Sequence, residues 1–297
     1  MNKTDRRFRI LDWFYIGMAV LPFLLLIVLQ ILTDVPAEGM SVSGARIFFV
    51  IPMPLQDFPV TESQLNSLAV LIALFFFCRY LTHGLKERPE LRRQHLAEWI
   101  VEKVDGLVNE NMGQRFAGYA PFIIAVLGLS ACSSLMSLLG LYPPTSDLNI
   151  VMGWAILVFV LILYYKMKCG IGYYLKGFLE PVAVLAPINV ISEFATPISM
   201  GFRHYGNVLS GTVVSALIAF GLGGLSEALF GWLPGFLSDI PFLQIGLPAL
   251  LSVYFDIFSG CLQAFIFAML TMMYVAGGFP AEEYERRQSR KLLKTKK

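Results

Sequence analysis

The chain has 297 residues, of which 56% are hydrophobic and only 15% are charged, and its mean hydropathy is +0.65. Soluble domains carry about 25% charged residues, so this composition excludes an ordinary soluble protein and indicates a multi-pass membrane protein. The four cysteines lie far apart, each in or beside a separate apolar run, without Cys-x-x-Cys or Cys/His ligand spacing. They are interpreted as small packing residues, so neither a disulfide nor a metal site is expected.

Apolar runs predict the membrane helices, since about 20 residues span about 30 Å of hydrocarbon. We predict an all-α membrane protein with about six membrane helices, from runs at 11–32, 65–82, 119–142, 150–165, 183–232 and 246–277. The fourth run is short and is expected to extend at one or both ends. The last two runs are long and contain polar residues.

Basic residues give the expected topology. Of the 23 lysines and arginines, 21 lie in the N-terminal tail, the loops after the second and fourth runs, and the C-terminal tail. If each run crosses once, these four segments share one side, which the positive-inside rule makes cytoplasmic. Both termini are therefore predicted to be cytoplasmic, with only Arg46 outside and Arg203 within the membrane.

The first apolar run has a second interpretation, because its basic flank is also typical of a secretory signal. The run is longer than a typical signal core, and no clear small-x-small cleavage site follows it. A retained membrane helix is the preferred interpretation.

The loop after the second run contains an amphipathic pattern with Leu96, Trp99, Ile100, Lys103 and Leu107 at helical spacing. This pattern predicts a helix lying at the membrane interface. The sequence contains no nucleotide-binding loop, zinc-protease signature or serine-nucleophile elbow, so we expect neither catalytic residues nor a cofactor.

Arg203 interrupts the fifth run, and an arginine stays charged inside a protein. Polar or small residues recur around it at helical spacing, which predicts one polar face along a membrane helix: Ser192, Thr196, Ser199, Asn207, Ser210 and Gly211. The sixth run repeats the pattern with Asp256, Ser259, Gly260 and Gln263. Because polar groups in lipid are costly, the two faces are expected to share one hydrated seam.

A polar relay with a fixed cation explains all the residues of this seam, and three other interpretations remain open. Arg203 and Asp256 could form a structural ion pair, although that leaves Asn207, Gln263 and the hydroxyl groups unexplained. They could instead bind the substrate of a self-contained secondary transporter, which would work as a purified chain. A membrane-embedded enzyme is the third interpretation, and it would require turnover by the isolated protein.

Three blocks of sequence, in order, resemble the a subunit of rotary F-type ATP synthases over residues 65 to 277. The strongest is "PINVISEFATPISMGFRHYGNVLSG", and the others are "LLGLYPPTSDLN" and "LQAFIFAMLTMMYV". The resemblance divides the chain into an N-terminal extra helix and outer loop at 1–64, the membrane domain at 65–277 and a basic cytoplasmic tail at 278–297.

The resemblance also assigns residues. Arg203 aligns with the family's essential arginine, Asn207 with its asparagine and Gln263 with the glutamine of its last helix. Asp256 stands where relatives carry glutamate or histidine, which implies an ion relay. Two positions depart from the pattern: Thr212 where many relatives carry glutamate, and Ser137 where many carry asparagine.

The implied function is that of an ion-translocating, non-catalytic stator subunit. Two half-channels would pass H+ or Na+ to and from the carboxylates of a c-subunit ring. Arg203 would lie between the two half-channels, and Ser199, on the same polar face as Arg203, would lie beside the ion path. Glu193 and Glu180 would line the release route, and His204 is interpreted as a packing residue.

The resemblance further implies a hairpin of the last two helices, strongly tilted against the ring. The implied partners are the c ring, the b-subunit peripheral stalk, other ATP synthase subunits and the lipid membrane, with no nucleic acid. The implied location is the plasma membrane of a bacterium.

Overall fold

A computed structural model describes residues 3–33, 44–54, 57–85, 91–179, 182–232, 243, 246, 250–251 and 253–295. Within these residues, six helices are long and apolar enough to cross a membrane, as predicted: Ile10–Thr33, Glu62–Thr82, Gln114–Leu139, Leu148–Cys169, Ala183–Phe230 and Val253–Gly278. The spans follow the apolar runs of the sequence, and the fourth extends at both ends, as expected.

The first helix, α1 (Lys3–Thr33), packs along α2 (Glu62–Thr82). The segment between them contains a two-stranded antiparallel hairpin, β1 (Ile47–Ile51) and β2 (Phe58–Thr61). Thr61 then caps the start of α2 in a capping box, in which the Thr61 backbone N–H donates to the side-chain oxygen of Gln64. The hairpin is therefore joined to α2 without an intervening loop.

The helix α3 (Arg92–Met112) has the predicted amphipathic character. Val104, Val108 and Met112 are buried against α4 (Ala120–Leu135) and the last membrane helix. Leu96 and Trp99, which the pattern placed on the apolar face, are 45% and 56% exposed. The C-terminal half of α3 thus packs on the bundle. Its N-terminal half presents apolar side chains outward, as an interfacial helix does.

The central packing unit contains α4, α5 (Leu148–Lys166) and α8 (Gly260–Gly278). Helix α8 packs on both α4 and α5, and side chains of all three helices form one core. Its buried side chains include Ile123, Val158, Phe267 and Met272. Helix approach is close where α8 begins, because a Cβ atom on Gly260 would lie 2.8 Å from the Cβ of Ser134. A π-helical segment, Val253–Ser259, leads into α8.

The longest element is α7 (Ala186–Phe230), which follows the short helix α6 (Ile171–Gly177). Its 45 residues correspond to about 68 Å, more than twice the hydrocarbon thickness. It packs mainly on α5, where Gly201 meets Met152 and Ala155. Six of its 45 residues are buried, so the described residues leave most of α7 uncovered: Pro197, Met200, Gly201, His204, Gly211 and Ser226.

The two ends of the bundle differ in charge. One carries α3, α6 and the last helix, α9 (Ala281–Thr295), and is called the basic end here. At this end Arg93 pairs with Asp12 of α1, and Arg115 pairs with Glu285 of α9. The other, called the hairpin end, carries the β-hairpin and the turn Tyr142–Asp147. Just before this turn, Gln30 of α1 donates to the Gly140 carbonyl oxygen at 3.0 Å.

Candidate functional site

Arg203 lies near the middle of α7, on the side that the rest of the chain leaves uncovered. It is exposed, as are Ser199 one turn before it and Asn207 one turn after it. None of the ion pairs among the described side chains involves Arg203. At Ser199, Arg203, Asn207 and Ser210 the predicted polar face therefore exists on a membrane helix and points away from the bundle's core. Gly211, which the pattern also placed on this face, is instead buried against Phe255.

His204, the next residue, has the opposite environment and is 1% exposed. Its ring packs edge-to-face against Trp154 at 6.2 Å and Phe267 at 5.6 Å between centroids. Its Nε2 atom lies 3.5 Å from the hydroxyl of Ser130, and its Nδ1 atom has no hydrogen-bond partner among the described residues. His204 is thus one of the residues through which α7 meets α5, α8 and α4.

Two residues of the second predicted polar face, Gly260 and Gln263, lie inside the bundle. Gly260 meets Ser134 of α4, and Gln263 is 5% exposed, so this side of α8 faces the bundle interior. Gln263 is therefore buried within the bundle, whereas Arg203 is exposed, because close packing of α8 on α4 takes up the side of α8 that carries Gln263. Asp256 lies in the π-helical segment, and its side chain is outside the described part.

Two positions that depart from the family pattern are also placed. Thr212 follows Arg203 by nine residues, half a turn around the helix from it, and donates to the Val208 carbonyl oxygen at 3.1 Å. Ser137 lies in the turn after α4 and donates to the Ser134 carbonyl oxygen at 2.9 Å. Both hydroxyl groups bond to their own helical backbone. Glu180 lies outside the described residues.

Buried polar groups connect the hairpin end with His204, and the sequence analysis missed them. Ser63 donates to the carboxylate of Asp147, Asn66 donates to the Tyr142 carbonyl oxygen at 2.7 Å, and Ser134 donates to Thr145 at 3.3 Å. We call the buried members of this group the inner polar column: Ser63, Asn66, Ser130, Ser133, Ser134, Thr145 and His204. Its signal in the sequence is Ser130, Ser133, Ser134 and Ser137 at helical spacing.

Several atoms at this end of the bundle are buried without a hydrogen-bond partner within the described chain: Asn66 Oδ1, Ser133 Oγ, Ser146 Oγ and His204 Nδ1. Buried polar atoms are almost always satisfied, by protein or by water. Water is the usual partner of such atoms where the protein offers none. At the rim, burial raises the pKa of the Tyr142 phenol, and the negative charge of Asp147 raises it further.

At the basic end, Glu193 of α7 forms an ion pair with Lys166, the last residue of α5. The Lys166 Nζ atom lies 2.5 Å from Glu193 Oε2, and the two side chains are 30% and 11% exposed. Two cavities adjoin the pair, of about 170 and 310 Å³. Burial raises the pKa of the neighbouring Tyr174 phenol, and the charge of Glu193 raises it further. Lys166 was missed because it had been counted only as a basic loop residue.

The fold and these sites define a multi-pass helical membrane protein with an exposed intramembrane cation and polar groups leading in from both ends. The sequence matches the ATP synthase A chain family over residues 65–276. The chain therefore belongs to that family. It is an ion-translocating, non-catalytic stator subunit of an F-type ATP synthase, as the sequence motifs predicted.

Three curated relatives illustrate the similarity. The ATP synthase subunit a of Priestia megaterium is 36% identical, over 73% of this chain and 92% of the relative. The sodium ion specific subunit a of Propionigenium modestum is 29% identical, over 82% of this chain and 88% of the relative. The subunit a of Anoxybacillus flavithermus is 30% identical, over 74% and 93%.

Proposed function

We propose that this chain provides two half-channels that carry H+ or Na+ to and from a rotating c ring, and that Arg203 separates them. The observation that carries the proposal is the position of Arg203, charged and exposed in mid-span on the uncovered side of α7. A charge left in lipid at this depth costs about 2.5–3.5 kcal/mol on insertion scales, so such a residue needs a partner of opposite charge. A ring of carboxylates passing along α7 supplies that partner.

Arg203 acts as a fixed counter-charge in this mechanism. An ionised carboxylate is stabilised beside a guanidinium, so a c-ring carboxylate that reaches Arg203 releases its ion. Once past Arg203, the carboxylate takes up a new ion before it meets lipid, because an ionised acid there is unfavourable. Since arginine keeps its proton, it also prevents an ion from passing directly between the two half-channels.

The access half-channel opens at the hairpin end. Asp256, Gln263 and Asn207 line its inner part, with Asp256 as the ion-relay group and Thr212 as a hydroxyl on α7. Support comes from the burial of Gln263 within the bundle and from the inner polar column, whose unpartnered atoms indicate water on this side. The column extends the route from the outer turn towards the centre of the bundle.

The release half-channel opens at the basic end. Ser199, Thr196 and Glu193 precede Arg203 by four, seven and ten residues and follow one side of α7. Glu193 adjoins two cavities, which supports its assignment to this route.

The c ring would cover the uncovered side of α7, and the b-subunit peripheral stalk and other ATP synthase subunits would hold the chain against rotation. The relatives are bacterial, which favours the plasma membrane. The basic end would face the cytoplasm, with both termini, according to the positive-inside rule.

Cysteine cross-linking in membranes that contain the whole complex tests this orientation. Ser199→Cys and Asn207→Cys, each combined with a cysteine on the ring helix that carries the carboxylate, are expected to form a disulfide. Leu157→Cys, on an exposed side of α5, is the control and is expected to stay uncross-linked. Cross-linking from Leu157 but not from Ser199 or Asn207 would contradict the proposed position of the ring.

A further inference from the structure

We infer that the Lys166–Glu193 ion pair is the gate of the release half-channel, in which Lys166 holds Glu193 across the path and gives way when an ion leaves. The inference rests on the proposed function and adds Lys166 to the residues of the release half-channel. It depends on four features of the basic end: the contact between Lys166 and Glu193, the two cavities beside it, the hydroxyl groups of Thr196 and Ser199 along α7, and Gly278, against which Lys166 packs.

The contact is close and only partly shielded. Lys166 Nζ lies 2.5 Å from Glu193 Oε2, and Glu193 is the more buried of the two residues. The second carboxylate oxygen, Oε1, is buried and has no hydrogen-bond partner of normal geometry within the described chain, and the Tyr174 phenol lies beside the same carboxylate. Glu193 therefore has one oxygen neutralised by the ammonium group and one left to accept a proton, a cation or a water molecule.

The two cavities lie on different sides of this pair and share Lys166, Glu193 and Gly278. The smaller, of about 170 Å³, is also lined by residues deeper in the spans, including Thr196, Phe159 and Met273. The larger, of about 310 Å³, is lined by residues of the basic end, including Tyr174, Asn189 and Pro280. Since a water molecule occupies about 30 Å³, each has room for several, and the ion pair lies where they meet.

The smaller cavity points towards Arg203. Thr196 lines it, and Ser199 continues the same side of α7 to Arg203, which lies ten residues and about 15 Å beyond Glu193. An ion released at Arg203 therefore reaches the larger cavity by passing Glu193.

Gly278 of α8 leaves the space in which the lysine lies. A Cβ atom on Gly278 would come within 3.2 Å of Lys166 Cγ and 3.4 Å of Cε. The Lys166 side chain thus crosses the α8 backbone at close range on its way to Glu193. Its position is set by packing as well as by charge.

The step follows from the charges. An arriving proton moves through water to Glu193 Oε1, which makes the carboxyl group neutral and removes its attraction for the ammonium group. Lys166 then moves towards solvent, the cavities join, and Glu193 gives the proton to water in the larger cavity. The carboxylate that remains attracts Lys166 back. A sodium ion would displace the ammonium group directly from the carboxylate.

The test measures access to the smaller cavity from the basic end. Thr196→Cys is introduced into the complete complex in inverted vesicles, and its reaction with a small, cationic, membrane-impermeant thiol reagent is followed by peptide mass spectrometry. ATP-driven pumping in these vesicles carries ions through the same gate in the opposite direction, from the basic end inwards, and the gate must open for them as well. With Lys166 present, labelling at position 196 should therefore be slow at rest and several-fold faster during ATP-driven pumping. With Lys166→Gln added, it should already be fast at rest.

The controls separate a gate from a structural contact. Lys168→Gln, two residues away, should leave the slow resting rate unchanged, since Lys168 lies over the Tyr164 ring. The exchange Lys166→Glu with Glu193→Lys tests whether an ion pair of reversed polarity restores slow labelling, as the inference requires. A merely structural pair would give the same labelling rate with and without ATP, which would overturn the inference even if Lys166→Gln failed to assemble.

Failure of the gate and failure of the proposed function give different results. If ATP-driven pumping requires Arg203 but labelling at position 196 is the same at rest and during pumping, only the gate is wrong. If pumping does not require Arg203, the half-channel mechanism itself is wrong.

Discussion

Arg203 and His204 are neighbours in the chain but lie in opposite environments, with Arg203 exposed on the uncovered side of α7 and His204 1% exposed within the bundle. Successive residues of a helix differ by about 100° in direction, so a single step separates the two surfaces. His204 fixes α7 against Trp154 and Phe267, and this fixes the direction in which Arg203 points.

His204→Ala is therefore expected to destabilise the subunit by about 2 kcal/mol or more, because it leaves a cavity between α7, α5 and α8. His204→Phe should cost less, since a phenyl ring keeps most of the packing. The midpoint of thermal unfolding of the purified complex, with the amount of assembled subunit, measures both. Equal stability of the alanine variant and the unsubstituted protein would contradict a packing role.

Gly260→Ala is expected to disturb the contact between α8 and α4, since its Cβ would lie 2.8 Å from the Ser134 Cβ. Assembly should fall, and adding Ser134→Gly should restore part of it by removing the atom in conflict. Gly153→Ala is the matched control, because no atom lies within 4 Å of a Cβ built there. Failure of Ser134→Gly to improve on Gly260→Ala alone would show that the close contact is not the cause.

Ser133 tests whether the inner polar column carries water. Its hydroxyl is buried and lacks a partner within the described chain. Ser133→Ala should leave ATP-driven pumping nearly unchanged, whereas Ser133→Val should reduce it several-fold, because the added methyl groups take the space of water. Equal pumping by the two variants, at equal assembly, would show that the inner polar column is not part of the access half-channel.

The sequence predicted the spans well because twenty apolar residues leave a helix as the only simple way to satisfy the backbone in lipid. It also predicted the polar face of Arg203, since helical spacing determines which residues share a side. Spacing cannot tell which neighbour a face meets, and so Gln263 was expected in a seam shared with Arg203 and lies instead within the bundle. The Lys166–Glu193 pair joins residues 27 positions apart, and no local pattern indicates such a contact.

The most direct measurement is ATP-driven ion pumping and passive ion leak in inverted vesicles that contain the complete complex with Arg203→Ala, with Arg203→Lys as the charge-conserving comparison. The account predicts loss of pumping for the alanine variant at normal assembly, together with an increased leak between the half-channels. Pumping by Arg203→Ala at the unsubstituted rate would contradict it and would leave Arg203 without a role in translocation.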